Sequence, residues 1–181
     1  MKFACVYATT EGQTRKILRH VADRLVEQGQ SVELVPAEAA THLDLARFDA
    51  AILGGSVHAG QVQKSLRAFA ADHKDALNRC PTLYLQVSLA AAGKDADDLK
   101  GIRDIAEDLI KVTGWTPGQV AHVAGAFRFS EYTFLESWVM GWIARQKAPG
   151  IDRHSDTEFT DWAALDRLLD DWTSAMAVAS T

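Results

Sequence analysis

The sequence predicts an α/β fold, a parallel sheet whose strands are joined by crossover helices. Three observations carry this. Short apolar runs rich in branched residues alternate with longer segments of helical period, roughly five of each. The composition, 48% hydrophobic and 24% charged with four prolines in 181 residues, suits one globular domain able to bury a substantial core. The first apolar run also leads straight into a helical segment through a short stretch holding three threonines and a glycine, a strand-to-helix junction.

The elements follow in order. Strand one covers residues 3–8. Helix one covers 13–28, with Ile17, Leu18, Val21, Ala22, Leu25 and Val26 on one stripe and Gly29 as its stop. Strand two is 31–35. Strand three, 50–54, leads into helix two, on which Val62, Leu66, Phe69, Ala70 and Leu77 share a face. Strand four is 82–87. Helix three, 95–113, turns Leu99, Ile102, Ala106, Leu109 and Ile110 inward and opens with acids that suit a helix N-terminus. Strand five is 119–126. The pattern then breaks, and a segment of about residues 128–160, too long for an ordinary connection, precedes a last helix over 161–178. That helix faces inward with Trp162, Leu165, Leu169, Trp172 and Met176. All of this reads as one domain, residues 1–181.

Net charge is −5, which argues against general affinity for nucleic acid, since phosphate binding needs a concentrated basic surface. The N-terminus lacks the apolar core and cleavage site of a secretory signal, so the chain is expected in the cytoplasm. Cys5 and Cys80 are far apart without metal-site spacing and are expected as buried, reduced thiols. No apolar run reaches the roughly eighteen residues that span a bilayer.

In an open parallel sheet, ligands bind beyond the carboxyl ends of the strands. The first loop there, "TTEGQT", enters the N-terminus of helix one. Backbone N–H groups and the positive end of the helix dipole favour an anion, Gly12 permits close backbone approach, and Thr9, Thr10 and Thr14 supply hydroxyls. A phosphate fits without an obligatory lysine. The plainer reading, a threonine cap and a tight turn, explains one threonine and the glycine. "GSVHAG", residues 55–60, has P-loop glycine spacing, but Gln61 and Val62 stand where Lys and Ser/Thr are required. "GGSVH" departs from a nucleophile elbow because His58 replaces the last glycine. Asp152, His154 and Asp156 have spacing common in solvated loops, and no metal is expected.

"TTEGQT" resembles the phosphate loop of flavodoxins and occupies the same place after strand one. The order of elements resembles that fold too, which implies a flavodoxin-like three-layer sandwich with strand order 2-1-3-4-5, helices on both faces and FMN as cofactor. Within it, "GQTR", "GGSVHAG", "AGAFRF", "YTFLESWVMGWIA" and "TDW" resemble the menaquinone-dependent protoporphyrinogen IX dehydrogenases over essentially the full length. The resemblance implies that Thr9, Thr10, Gly12, Gln13 and Thr14 hold the FMN phosphate. It implies that Ser56, Val57, His58, Ala59 and Gly60 border the isoalloxazine, and that Ser88, Leu89, Ala90, Ala91, Ala92 and Gly93 close its other side. These two loops depart from carrier flavodoxins in having no aromatic and no acid before Asp95, so the reduced anionic ring meets less Coulomb repulsion and a higher potential is expected.

The activity so implied is oxidation of protoporphyrinogen IX with menaquinone or ubiquinone as acceptor, a step of heme biosynthesis. No catalytic base is evident; His58, as a polar neighbour of the ring, and Arg128, as a partner for substrate propionates, are the candidates. Phe134, Leu135, Trp138, Val139, Trp142 and Ile143 draw one apolar stripe on a helix. Two readings of that stripe stand: packing on the protein's own core, or a surface for quinone, porphyrinogen or a membrane, touched peripherally at the inner face through Phe134, Trp138 and Trp142. Glu131 and Glu136 offset Arg145 and Lys147, against attraction to anionic lipid. Two other functions remain open: an electron carrier without an organic substrate, and an NAD(P)H-quinone reductase.

Overall fold

A computed structural model describes residues 1–93, 96–127 and 157–179. Five parallel strands form the main sheet: β1 (Lys2–Ala8), β2 (Ser31–Pro36), β3 (Ala50–His58), β5 (Thr82–Ser88) and β6 (Gln119–Ala124), in the spatial order β2-β1-β3-β5-β6. Relabelled by parallel strand alone, that is the expected 2-1-3-4-5. A short antiparallel strand, β4 (Gln61–Val62), pairs with the end of β3, and β7 (Ala126–Phe127) pairs antiparallel with β8 (Thr157–Glu158). Register is fixed by alternation: β1 sets Phe3 and Cys5 against one face and Ala4, Val6 and Ala8 against the other.

Each face of the sheet is closed by helices whose apolar stripes meet it. α1 (Gln13–Glu27) and α5 (Trp162–Ala179) cover the face of Phe3, Cys5, Ile52, Leu83 and Leu85, adding Ile17, Leu18, Val21, Leu25, Leu165, Leu169, Trp172 and Met176. α2 (Lys64–Asp72), α3 (Lys74–Leu77) and α4 (Ala96–Thr113) cover the other, where Leu66, Phe69, Leu77, Ala106 and Leu109 pack on Val6, Leu53 and Tyr84. The fold is therefore the expected three-layer sandwich. The chain leaves the described residues at the end of β7 and re-enters at β8.

Several expectations need correction. β3 runs on to His58, four residues beyond the expected end, because β4 pairs with its tip. Val62 is consequently a strand residue, and the single expected second helix is two, parted at His73. Val26 is 57% exposed and Leu99 37% exposed, so neither lies on the buried face expected of it. Gly125 interrupts the fifth strand, so Ala126 belongs to β7. Both cysteines are free, but only Cys5 is fully buried. The apolar stripe of residues 134–143, Arg128, and the Asp152, His154 and Asp156 group lie outside the described residues. No helix among the described residues is long and apolar enough to cross a membrane.

Candidate functional site

The carboxyl ends of β1, β3 and β5 open on a cleft of about 50 Å³, lined by Thr9, Thr10, Glu11, Gln13, Thr14, Ser56, Val57, Val87, Ser88, Leu89, Gly125 and Ala126. Its floor is the loop into α1. Gly12 caps that helix in the left-handed region, φ 88°, and as a glycine makes no side-chain cap bond to the first-turn N–H groups. The Gly12 N–H donates to Thr9 Oγ1 over 3.0 Å, which folds the loop back on itself. Thr14 is 1% exposed and its hydroxyl has no hydrogen-bond partner among the described residues. Burying a hydroxyl unpaired costs about 1–3 kcal/mol. An anion seated at the helix N-terminus would meet that hydroxyl and the free N–H groups together, which is the donor set a phosphate monoester requires.

Glycine explains how two helices come so near the site. A Cβ on Gly54 would stand 2.1 Å from Leu18 Cδ2 and 3.2 Å from Thr14 Cγ2, so the bare backbone lets α1 press its phosphate-binding end against β3. A Cβ on Gly55 would stand 2.5 Å from Leu66 Cδ2 on the opposite face, where α2 approaches. The paired glycines of "GGSVH" thus thin the central strand between two helices.

The second loop is a hairpin. Val57 pairs with Val62 and His58 with Gln61, leaving Ala59 (φ 49°) and Gly60 (φ 76°) as a two-residue turn with both central residues left-handed. His58, Ala59 and Gly60 are exposed and stand outside the cleft wall; Ser56 and Val57 belong to it. The third loop places Ser88 and Leu89 on the cleft, with Ser88 Oγ accepting from the Ala91 N–H over 3.2 Å, while Ala90, Ala91, Ala92 and Gly93 are not part of its lining. Gln63 joins the first two loops: its carboxamide donates to Thr10 Oγ1 and, over 3.1 Å, to Ser56 Oγ.

Sequence reasoning missed the far wall. Gly125 donates its N–H to Ser88 O over 3.0 Å and accepts from the Phe159 N–H over 3.0 Å, which brings Gly125 and Ala126 to the cleft. The glycine inside "AGAFRF" was the available signal. Glu158 of β8 reaches Lys16 of α1 at 2.5 Å. Burial works to raise the Glu158 carboxyl, but the bond and charge of Lys16, with help from Gln13 and Trp162, outweigh it and hold the group below its ordinary range. Among the described residues no cluster of His, Cys, Asp and Glu is placed to hold a metal.

Residues 4–151 match the flavodoxin domain family. The chain belongs to that family. Flavodoxin domains carry FMN, and the uncapped helix end with its orphaned Thr14 hydroxyl fits that cofactor's phosphate. Two relatives resemble most of this chain. A protoporphyrinogen IX dehydrogenase [quinone] of Escherichia coli is 24% identical over 162 residues, 90% of this chain and 89% of that one. A protein of the same name from Leishmania major is 23% identical over 172 residues, 94% of this chain and 74% of its own. Among solved structures, oxidised Flavodoxin 1 from Bacillus cereus superposes with a TM-score of 0.58 at 13% identity, covering 96% of this chain and 98% of that one, which supports the fold.

Proposed function

We propose that this flavodoxin-family oxidoreductase oxidises protoporphyrinogen IX to protoporphyrin IX and delivers the electrons to a quinone, menaquinone or ubiquinone. The observation that carries the reading is the match over 162 residues to a dehydrogenase named for that reaction, far longer than the phosphate loop alone could sustain. A bound flavin supplies the redox chemistry, taking up a hydride equivalent from a substrate and giving electron pairs to an acceptor.

The chain's own residues do the rest. Thr9, Thr10, Gly12, Gln13 and Thr14 hold the phosphate with hydroxyls and first-turn N–H groups. Ser56, Val57, Ser88 and Leu89 border the ring, with the rest of the 56–60 hairpin and the 88–93 turn behind them. Val57, Val87 and Leu89 give the cleft an apolar wall that limits water. Neither ring loop carries a Phe, Tyr or Trp, so no such side chain from them covers the ring and a macrocycle or quinone can approach its face. His58, exposed at the hairpin tip, is the proposed polar neighbour of the ring, and Arg128 the proposed partner of the substrate's propionates.

The test is anaerobic turnover of the FMN-loaded protein with protoporphyrinogen IX, followed by protoporphyrin fluorescence with and without a menaquinone analogue. Quinone-dependent product above a protein-free control supports the dehydrogenase. FMN binding without product, with a menaquinone analogue or a ubiquinone analogue, overturns it in favour of an electron carrier without an organic substrate.

A further inference from the structure

We propose that Thr160 is a positioning residue for the FMN phosphate loop, acting through Gln13, and that it couples phosphate binding to the β7–β8 ribbon. The inference rests on the FMN reading above. The Thr160 hydroxyl donates to Ala124 O over 2.7 Å and accepts from Gln13 Nε2 over 3.0 Å. A hydroxyl has one proton to give. With that proton held by the last residue of β6, Thr160 meets Gln13 only as an acceptor, and the Gln13 carboxamide is fixed with its nitrogen toward Thr160. Gln13 is 7% exposed and is the first residue of α1, directly between Gly12 and Thr14.

This contact heads a ladder. Gln13, Lys16, His20 and Arg24 follow the three- and four-residue spacing of one helix face. Each meets the chain that re-enters after residue 156: Gln13 meets Thr160, Lys16 meets Glu158 at 2.5 Å, His20 Nε2 meets Asp166 at 2.7 Å, and Arg24 meets Asp170 at 2.5 Å. The Lys16 ammonium also lies 5.3 Å from the Trp162 ring. β8 is in turn held by its pairing to β7 and by the Phe159 N–H on Gly125 O. The helix that presents its N-terminus to phosphate is therefore laced, from its first turn, to the ribbon where residues 128–156 leave and return. A ligand that fixes the first turn of α1 must then steady residues 157–160, and by linkage their order must favour the ligand.

The phosphate makes the inference testable, because riboflavin has the same ring without it. FMN and riboflavin are each titrated by flavin fluorescence, and amide hydrogen exchange at Phe159 is followed with saturating amounts of each. The expected result is several-fold slower exchange at Phe159 with FMN and no change with riboflavin. In Thr160→Val the FMN dissociation constant rises roughly 2- to 10-fold, the span of one neutral hydrogen bond. Its riboflavin constant holds, and the FMN-dependent slowing is lost; Thr160→Ser restores both. FMN binding with unchanged Phe159 exchange in the unaltered protein overturns the coupling, and needs no variant to fold. Equal slowing in Thr160→Val overturns the role of Thr160. Absence of FMN binding altogether is a different result, seen in the fluorescence, and overturns the FMN reading together with this inference.

Discussion

Replacing Thr14 by Val is expected to move stability and cofactor affinity in opposite directions. The side chain keeps its shape but loses a buried hydroxyl that has no partner among the described residues. An unsatisfied buried polar group costs about 1–3 kcal/mol, so the cofactor-free variant should gain stability of that order. On the proposed reading, the same hydroxyl in the FMN-loaded protein would donate to an anionic phosphate. A hydrogen bond to a charged group is worth about 1.5–3 kcal/mol, which corresponds to a roughly 10- to 150-fold weaker FMN dissociation constant. The assays are urea denaturation of the cofactor-free protein and fluorescence titration with FMN and riboflavin. Only the FMN constant should move, since riboflavin offers no phosphate. A variant that is less stable when empty and binds FMN as before would refute the assignment of this hydroxyl to the phosphate.

Other perturbations test other parts of the fold. Ala59→Gly should stabilise the protein by about 1 kcal/mol, because Ala59 holds φ 49° where glycine is unstrained; for a chain of this size that is about 2–4 °C in the thermal midpoint. Gly54→Ala should cost about 1–3 kcal/mol by driving α1 off β3, and should weaken FMN as well, because Thr14 moves with Leu18; unchanged affinity would show that the close approach does not shape the phosphate site. Cys5 is fully buried and its thiol is pushed up to about 12. Its folded value lies above the ordinary 9.0, so its contribution is fully present below pH 9.0 and is lost as pH rises toward 12, and alkylation at neutral pH should require unfolding. Glu158 shifts the other way: its contribution is present above the ordinary 4.5 and is lost as pH falls through the lower folded value, so Glu158→Gln should flatten the acid side of a stability profile.

What was legible in the sequence was local. The stripe of Ile17, Leu18, Val21 and Leu25 ends at Gly29, and the structure turns there with φ 77°. Strand positions, their order and the phosphate loop likewise follow from periodicity, from short-range turn chemistry and from resemblance. What escaped were features made by distant partners. Val62 fits a helical face by spacing, yet pairs with Val57 because the turn at Ala59 and Gly60 returns the chain onto β3. Gly54 and Gly55 look like motif residues, whereas their reason is the approach of Leu18 and Leu66 from opposite layers. The wall at Gly125 and Ala126 depends on Phe159, 34 residues beyond Gly125 in the numbering, and no local pattern announces it.

On the proposed reading this cleft binds FMN and protoporphyrinogen IX reduces the flavin. One anaerobic mixing experiment addresses it directly: FMN-loaded protein is combined with protoporphyrinogen IX, flavin absorbance and porphyrin fluorescence are followed together, and a quinone is then added. The expected result is flavin bleaching with one porphyrin formed for every three flavins reduced, since the conversion releases six electrons and each flavin takes two, and return of the flavin absorbance once the quinone arrives. Flavin that stays oxidised while porphyrinogen is present, yet is bleached by a chemical reductant, would contradict it.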